Sequence, residues 1–193
     1  MAEPLVSASI GAPWGPIRLA AHPRGLVAVD QLVSAEAFGD RLQRRFGAAP
    51  IDIRDAPPGT AAFGIVTIAL DAVRTYLDGD LDALDGLPMD LDDRPDWDRS
   101  VLAAVRGIRP GTTASYGDVA RMIGRGGAAR AVGGAVGRNT VGLVVPCHRV
   151  IAGDGTLGGY GGGWWGGRQA GLELKRELLA REGVHIGPGG AAP

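Results

Sequence analysis

Between Asp78 and Asp98 the chain carries nine aspartates, one arginine, and Pro88 and Pro95. Carboxylates at this density repel one another and resist burial, and proline withholds a backbone donor, so the stretch reads as a boundary between two folded parts. It predicts a domain over residues 1–85, an acidic linker over 86–96, a second domain over 97–186 and a disordered tail over 187–193. Charge changes sign across it. From Met1 to Asp98 there are 8 basic and 16 acidic residues; from Arg99 to Pro193 there are 12 basic and 5 acidic. The net charge of −1 argues against a nucleic-acid binder. The segregation argues the other way, giving a basic half suited to phosphate and an acidic half facing away from it. Chance gathering of acidic loops in one half is the plain alternative.

At 193 residues and 45% hydrophobic content, a buried core is expected. No apolar run reaches the ~18–20 residues that cross a bilayer. Met1-Ala2-Glu3-Pro4 has no basic start leading into an apolar core, so no secretory signal is read. The single cysteine, Cys147, forms no intramolecular disulfide and fits a reducing compartment. The expected location is the cytoplasm.

Residues 5–30 predict a hairpin, with Ile17 and Leu19 alternating and Leu26, Val27 and Val29 in a second β-rich run. Ser34 is placed to cap a helix to about Phe46, with Phe38, Leu42 and Phe46 on one stripe. A loop over 47–59 and a helix over 61–77, ended by Gly79, follow. In the second half, Trp97, Val101, Leu102 and Val105 outline a helix ending near Gly107. Two short helices, Tyr116–Ile123 and Ala128–Arg138, are joined by a glycine-bearing turn and resemble a helix-turn-helix. The second has a small face, in which Gly133 and Gly134 weaken the helix by roughly 1 kcal/mol each. Close approach of another backbone would explain them. Val141–Val145 is an apolar β-rich run, and Leu172–Glu182 a final helix.

The chemistry concentrates at Cys147. A thiol reacts as thiolate and needs a base or positive charge nearby. His148 is adjacent, Arg149 adds positive potential, and Glu182 is a candidate to orient the histidine. A lone cysteine is otherwise a small hydrophobe. His22 and His185 have no matching partners. One cysteine and three scattered histidines match no zinc spacing, so no metal is expected.

These residues carry a resemblance. Ile108-Arg109-Pro110-Gly111, Tyr116-Gly117, Ala129-Arg130-Ala131-Val132-Gly133-Gly134-Ala135, Asn139, Pro146-Cys147-His148-Arg149-Val150, Gly159-Tyr160, Leu178-Leu179 and Glu182-Gly183 occur in order and at suitable spacing. Together they resemble the C-terminal domain of the O6-alkylguanine-DNA alkyltransferases. The stretch around Pro13-Trp14-Gly15-Pro16-Ile17 is similar to that family's N-terminal domain. The resemblance implies an α+β protein. Its N-terminal α/β domain would hold a ribonuclease H-like sheet with helices, and its mainly helical C-terminal domain a helix-turn-helix.

The resemblance further implies irreversible, single-turnover transfer of an alkyl group from O6-alkylguanine, and from O4-alkylthymine, onto Cys147 after the nucleotide is flipped out of the duplex. His148, through a water, and Glu182 would activate the sulfur. Tyr116 would donate a proton toward the base, and Lys175 would help polarise the site. Arg130 would fill the gap in the base stack, with Ala129, Gly133, Tyr116 and Arg138 also at the DNA. Val145, Val150, Tyr160, Gly161 and Asn139 would form or brace the base pocket. No cofactor is implied. The partner is double-stranded DNA bearing O6-alkylguanine, with no membrane, and the protein is expected to act as a monomer.

Two departures stand out. Trp164–Gly171 adds about eight residues beyond the family pattern, and Trp164 and Trp165 could stack on the base, lid the pocket or reshape it for larger adducts; a tolerated surface insertion is the bland alternative. Thr140 and Gly126 stand where the family often has proline. Two other functions stay open: a non-catalytic binder that flags alkylated bases, against which Cys147 argues, and a relative retargeted to a bulkier or non-DNA alkyl donor.

Overall fold

The computed structural model describes residues 4–161 and 167–187. Trp164, Trp165 and the tail beyond residue 187 lie outside the described residues. The chain divides into two compact units, Met1–Leu91 with Thr140–Val144, and Asp92–Asn139 with Val145–Pro193. Both strands and helices are present, which bears out a mixed α+β protein. No helix among the described residues is long and apolar enough to cross a membrane.

Unit 1 is built on a four-stranded sheet ordered β3-β2-β1-β4, from β1 (Val6–Ala12), β2 (Gly15–His22), β3 (Gly25–Gln31) and β4 (Ile51–Asp52). The predicted hairpin is therefore a three-stranded meander. β1 escaped the sequence reading because Ser7, Ala8, Ser9 and Gly11 carry little β-propensity; its antiparallel pairing with β2, from Val6↔Ala21 to Ala12↔Gly15, holds it instead. β4 lies in the predicted loop and adds to β1 in parallel.

Every residue of β3 is buried, which accounts for its unbroken apolar run. Its open edge is covered by backbone: Leu26 N–H donates to Pro88 O at 2.8 Å and Val29 N–H to Thr140 O at 2.8 Å. At Gly25 a Cβ would sit 2.5 Å from the Met89 carbonyl carbon, so only glycine allows the strand this close. The acidic stretch is thus not uniformly solvated. Leu84 and Leu87 are buried, and Asp90 is paired with Arg24.

Helix α1 (Ala35–Phe46) starts where Ser34 accepts from the Ala37 N–H at 3.1 Å, and it packs Phe38 and Leu42 against Ala20, Val27 and Ala28. Helix α2 (Ala61–Leu77), capped by Thr60, packs on the sheet and buries Ala62, Val66, Ala69, Val73 and Tyr76, while Ile68 is exposed. The Val141–Val145 run is not a strand. Leu143 adopts φ 72°, and the Val144 N–H turns back to Gly142 O at 2.9 Å.

Unit 2 holds α3 (Asp96–Arg106), α4 (Tyr116–Met122), α5 (Ala129–Gly137) and α6 (Arg168–Arg181), with a parallel pair β5 (Ala114–Ser115) and β6 (Val150–Ile151). A reciprocal cap between Ser115 and Asp118 starts α4. Gly124 (φ 68°) and Gly127 (φ 89°) turn the chain into α5. Asp98 is buried in α3 and receives Arg138 Nε at 2.8 Å, which ties the end of α5 to α3. The final helix starts at Arg168, four residues before the predicted Leu172.

Candidate active site

Cys147 opens a single 3-10 turn, Cys147–Arg149, between an irregular segment and β6. Its N–H donates to Val145 O at 2.7 Å, and Asn139 Nδ2 donates to the same carbonyl at 3.0 Å. The turn is thereby pinned from behind. Cys147 and His148 are buried, at 4% and 0% exposure.

His148 Nε2 lies 2.9 Å from Glu182 Oε1, and Arg149 sends Nε to Oε2 at 2.9 Å and an Nη to Oε1 at 2.8 Å. Burial by itself would raise the Glu182 carboxyl, but the hydrogen bonds and charges of His148 and Arg149 outweigh it and bring it from 4.5 to about 2. Glu182 is therefore a carboxylate, and the proton of neutral His148 sits on Nε2 facing it. Burial depresses His148 below its usual 6.5 despite the pull of Glu182. The remaining ring nitrogen, Nδ1, is buried and makes no hydrogen bond among the described residues. Burial pushes the Cys147 thiol up, while hydrogen bonding to Asn139 and Tyr160 and the charge on Lys175 pull it down. The resting thiol is neutral and ready to give its proton to a base.

Above the sulfur is a cavity of about 330 Å³ lined by Tyr116, Gly133, Val136, Gly137, Cys147, Gly159, Tyr160, Gly161 and Arg168. That is at the small end of ligand sites. Burial raises the Tyr116 hydroxyl above its usual 10, so it is a proton donor at neutral pH. A Cβ at Gly158 would meet the Tyr116 hydroxyl at 3.4 Å, so the absence of a side chain there keeps the phenol in place. A Cβ at Gly133 would meet the Tyr116 ring only at 3.8 Å, an ordinary contact. Packing inside the protein does not demand that glycine, and no backbone approaches it as the sequence reading expected.

Cys147, Tyr116, Gly133, Tyr160 and Gly161 of the predicted site come together on the cavity wall. His148, Glu182 and Asn139 stand behind the sulfur. Val145 and Val150 are buried but are not among the lining residues, and their carbonyls are taken by Asn139 and by Lys175. Lys175 does not line the cavity either. Its ammonium is buried and donates to three backbone carbonyls: Val150, Leu157 at 2.6 Å and Gly159 at 3.0 Å. Burial lowers it from 10.5 to about 8, and a negative charge on Cys147 would act against that shift. It holds the cavity wall and projects positive potential toward the sulfur.

Ala129 and Arg130 open α5, with Arg130 exposed, whereas Arg138 is engaged by buried Asp98. Val136, Gly137 and Arg168 were missed, and Gly159 was read only as part of the Gly159-Tyr160 motif. Val136 and Gly137 follow Gly133 at the i+3 and i+4 spacing of one helix face, which would have found them. Arg168 carries no such signal.

A domain family described as 6-O-methylguanine DNA methyltransferase, DNA binding domain, matches residues 96–184. A methylated-DNA–protein-cysteine methyltransferase of Mycolicibacterium paratuberculosis is 44% identical over 118 residues, 61% of this chain and 65% of the relative. One from Shigella flexneri is 42% identical over 58% of this chain and 61% of its own length. The matched stretch thus spans less than two thirds of these curated relatives. Among solved structures, a Mycobacterium tuberculosis O6-methylguanine methyltransferase is 34% identical with TM-score 0.68, and a complex of that organism's protein with DNA is 33% identical with TM-score 0.69; each match covers 92% of both chains. A Pyrococcus kodakaraensis homologue at 21% identity shares the fold, with TM-score 0.58, over 93% of this chain and 99% of its own.

Proposed function

The chain belongs to the methylated-DNA–protein-cysteine methyltransferase family, and from that premise we propose that it repairs DNA by moving the alkyl group of O6-alkylguanine onto Cys147. The observation that carries the reading is a buried cysteine on the floor of a base-sized cavity, backed by a neutral histidine held by a carboxylate.

The chemistry is a displacement at the alkyl carbon: the carbon–sulfur bond forms as the carbon–O6 bond breaks. His148 Nδ1, through a water, takes the thiol proton, and Tyr116 protonates the departing base. Proton return among these groups leaves a neutral guanine and a thioether. A thioether has no leaving group to release the sulfur, so each chain reacts once. O4-alkylthymine presents the same alkyl-oxygen bond and is the second expected substrate.

Reaching a stacked base requires flipping it out of the duplex. We assign α4 and α5 to a helix-turn-helix whose second helix meets DNA through Arg130, Ala129 and Gly133, with exposed Arg130 filling the vacated stack. We assign the unit 1 sheet with its helices to a ribonuclease H-like arrangement, residues 86–96 to the connection between the domains, and the site of action to cytoplasmic DNA. Arg138 serves this interface indirectly, by fixing the end of α5 on Asp98. A role for Trp164 and Trp165 falls outside the described residues.

Intact mass after incubation with duplex DNA bearing O6-methylguanine tests the proposal. One methyl per chain, mapped to Cys147 and lost in Cys147→Ser, is expected. Lesion binding with no mass gain would instead identify a damage-flagging binder.

A further inference from the structure

The first turn of α6, Arg168–Gly171, falls in the stretch read from the sequence as additional to the family's pattern, and through Arg168 it forms part of the pocket. Gly171 seats it: a Cβ there would lie 3.1 Å from Tyr160 O, so this turn rests directly on the cavity wall. Arg168 stands three residues earlier on the same helix face, and it lines the cavity with Tyr160, Gly161 and Cys147.

Among the described lining residues Arg168 alone carries a charge. Its guanidinium makes no ion pair or hydrogen bond with any described residue. The nearest acidic group on its helix, Glu173, is taken by Gln169 at 2.8 Å. Two further features bias the cavity the same way. The buried Lys175 ammonium lies behind it, and α6 begins at Arg168 with no side-chain cap on its free N–H groups. The cavity is neutral and apolar around the sulfur and cationic at its rim.

We propose that Arg168 is a specificity-determining residue that favours O6-alkyl groups ending in a carboxylate; this deepens the transfer reading above and rests on it. A methyl group gains nothing from the rim cation. A carboxylate two or more atoms beyond the reacting carbon meets the planar fork that guanidinium offers to such groups. A DNA phosphate beside the flipped nucleotide carries the same kind of anionic oxygen, so the test must remove it.

Free bases do so. The full chain is reacted with O6-benzylguanine and with O6-(4-carboxybenzyl)guanine, and the rate of mass gain on Cys147 is measured for each. Charge-assisted hydrogen bonds of this kind are worth roughly 10- to 100-fold. Arg168→Gln is expected to lower the carboxybenzyl-to-benzyl rate ratio by about 10-fold or more, and Arg168→Lys to keep most of it. Arg168→Glu should turn the preference toward O6-(4-aminomethylbenzyl)guanine. The ratio cancels any general loss of folded protein. A ratio unchanged by Arg168→Gln while both bases react overturns the proposal. So does a loss seen only with substrates carried in DNA, which would assign Arg168 to phosphate. No gain from either base in the unaltered chain, nor from O6-methylguanine in duplex DNA, would instead sink the transfer reading itself.

Discussion

Glu182→Gln tests the core of the site. Glu182 accepts from His148 and twice from Arg149 inside a buried cluster. Its carboxyl falls from 4.5 to about 2, although burial alone would raise it. A shift of that size corresponds to roughly 3 kcal/mol of preferential interaction with the charged form. Glutamine keeps one acceptor but leaves the Arg149 guanidinium, 6% exposed, without a counter-charge. Removing one partner of a buried pair costs about 3–5 kcal/mol; since Arg149 still donates to Ile108 O, about 3 kcal/mol is expected. For a chain of this length that is a fall of roughly 6–12 °C in Tm. The substitution also acts on chemistry. An amide can donate to His148 Nε2, which moves the ring proton to Nδ1 and removes the base proposed above for the thiol proton. Thermal unfolding and the single-turnover rate of methyl transfer, measured below the new Tm, check the two effects. A loss under about 1 kcal/mol with an unchanged rate would refute the cluster as both anchor and base support.

Three further outcomes are expected. Arg130→Ala should slow transfer from duplex DNA far more than from free O6-benzylguanine, because only the duplex must be opened; equal slowing would remove Arg130 from the flipping step. The transfer rate should fall toward acid with a midpoint below 6.5, since burial lowers His148, and stability carried by Glu182 should be present above pH 4.5 and drain away as pH falls toward 2; a rate midpoint above 6.5 would contradict the neutral-histidine base. Lys175→Met leaves the carbonyls of buried Val150 and Leu157, and that of exposed Gly159, without their donor and should cost about 2 kcal/mol or more with a slowed transfer, checked by denaturation and by the rate at Cys147; a neutral outcome would show that the cavity wall stands without it.

The helices were legible because their signals are local. Ser34 stands at the N-cap where the sequence puts it, and the apolar spacing that follows it, like that before Gly79, needs no knowledge of the rest of the chain. β1 was not legible, since its small residues are strand only through pairing with β2. Nor was the turn at Leu143, where a β-prone apolar run yields to a positive φ that tertiary contacts impose. In the site, Cys147, His148 and Glu182 could be read from residue type and order. Partnerships over long separations could not. Arg138 looks like a surface cation until Asp98, forty residues earlier, is found beneath it. Lys175 reads only as a charge that polarises the site until its three carbonyl partners appear.

Those partners give Lys175 a character of its own. Backbone oxygens gathered around a small cation are how loops are commonly set by a diffusible ion, and such loops change shape with the ion supply. Here the cation arrives on a four-carbon tether from α6, so the chain carries its own internal counterion. The wall between Val150 and Gly159 is therefore gathered by a cation that is covalently part of the chain and arrives with the fold.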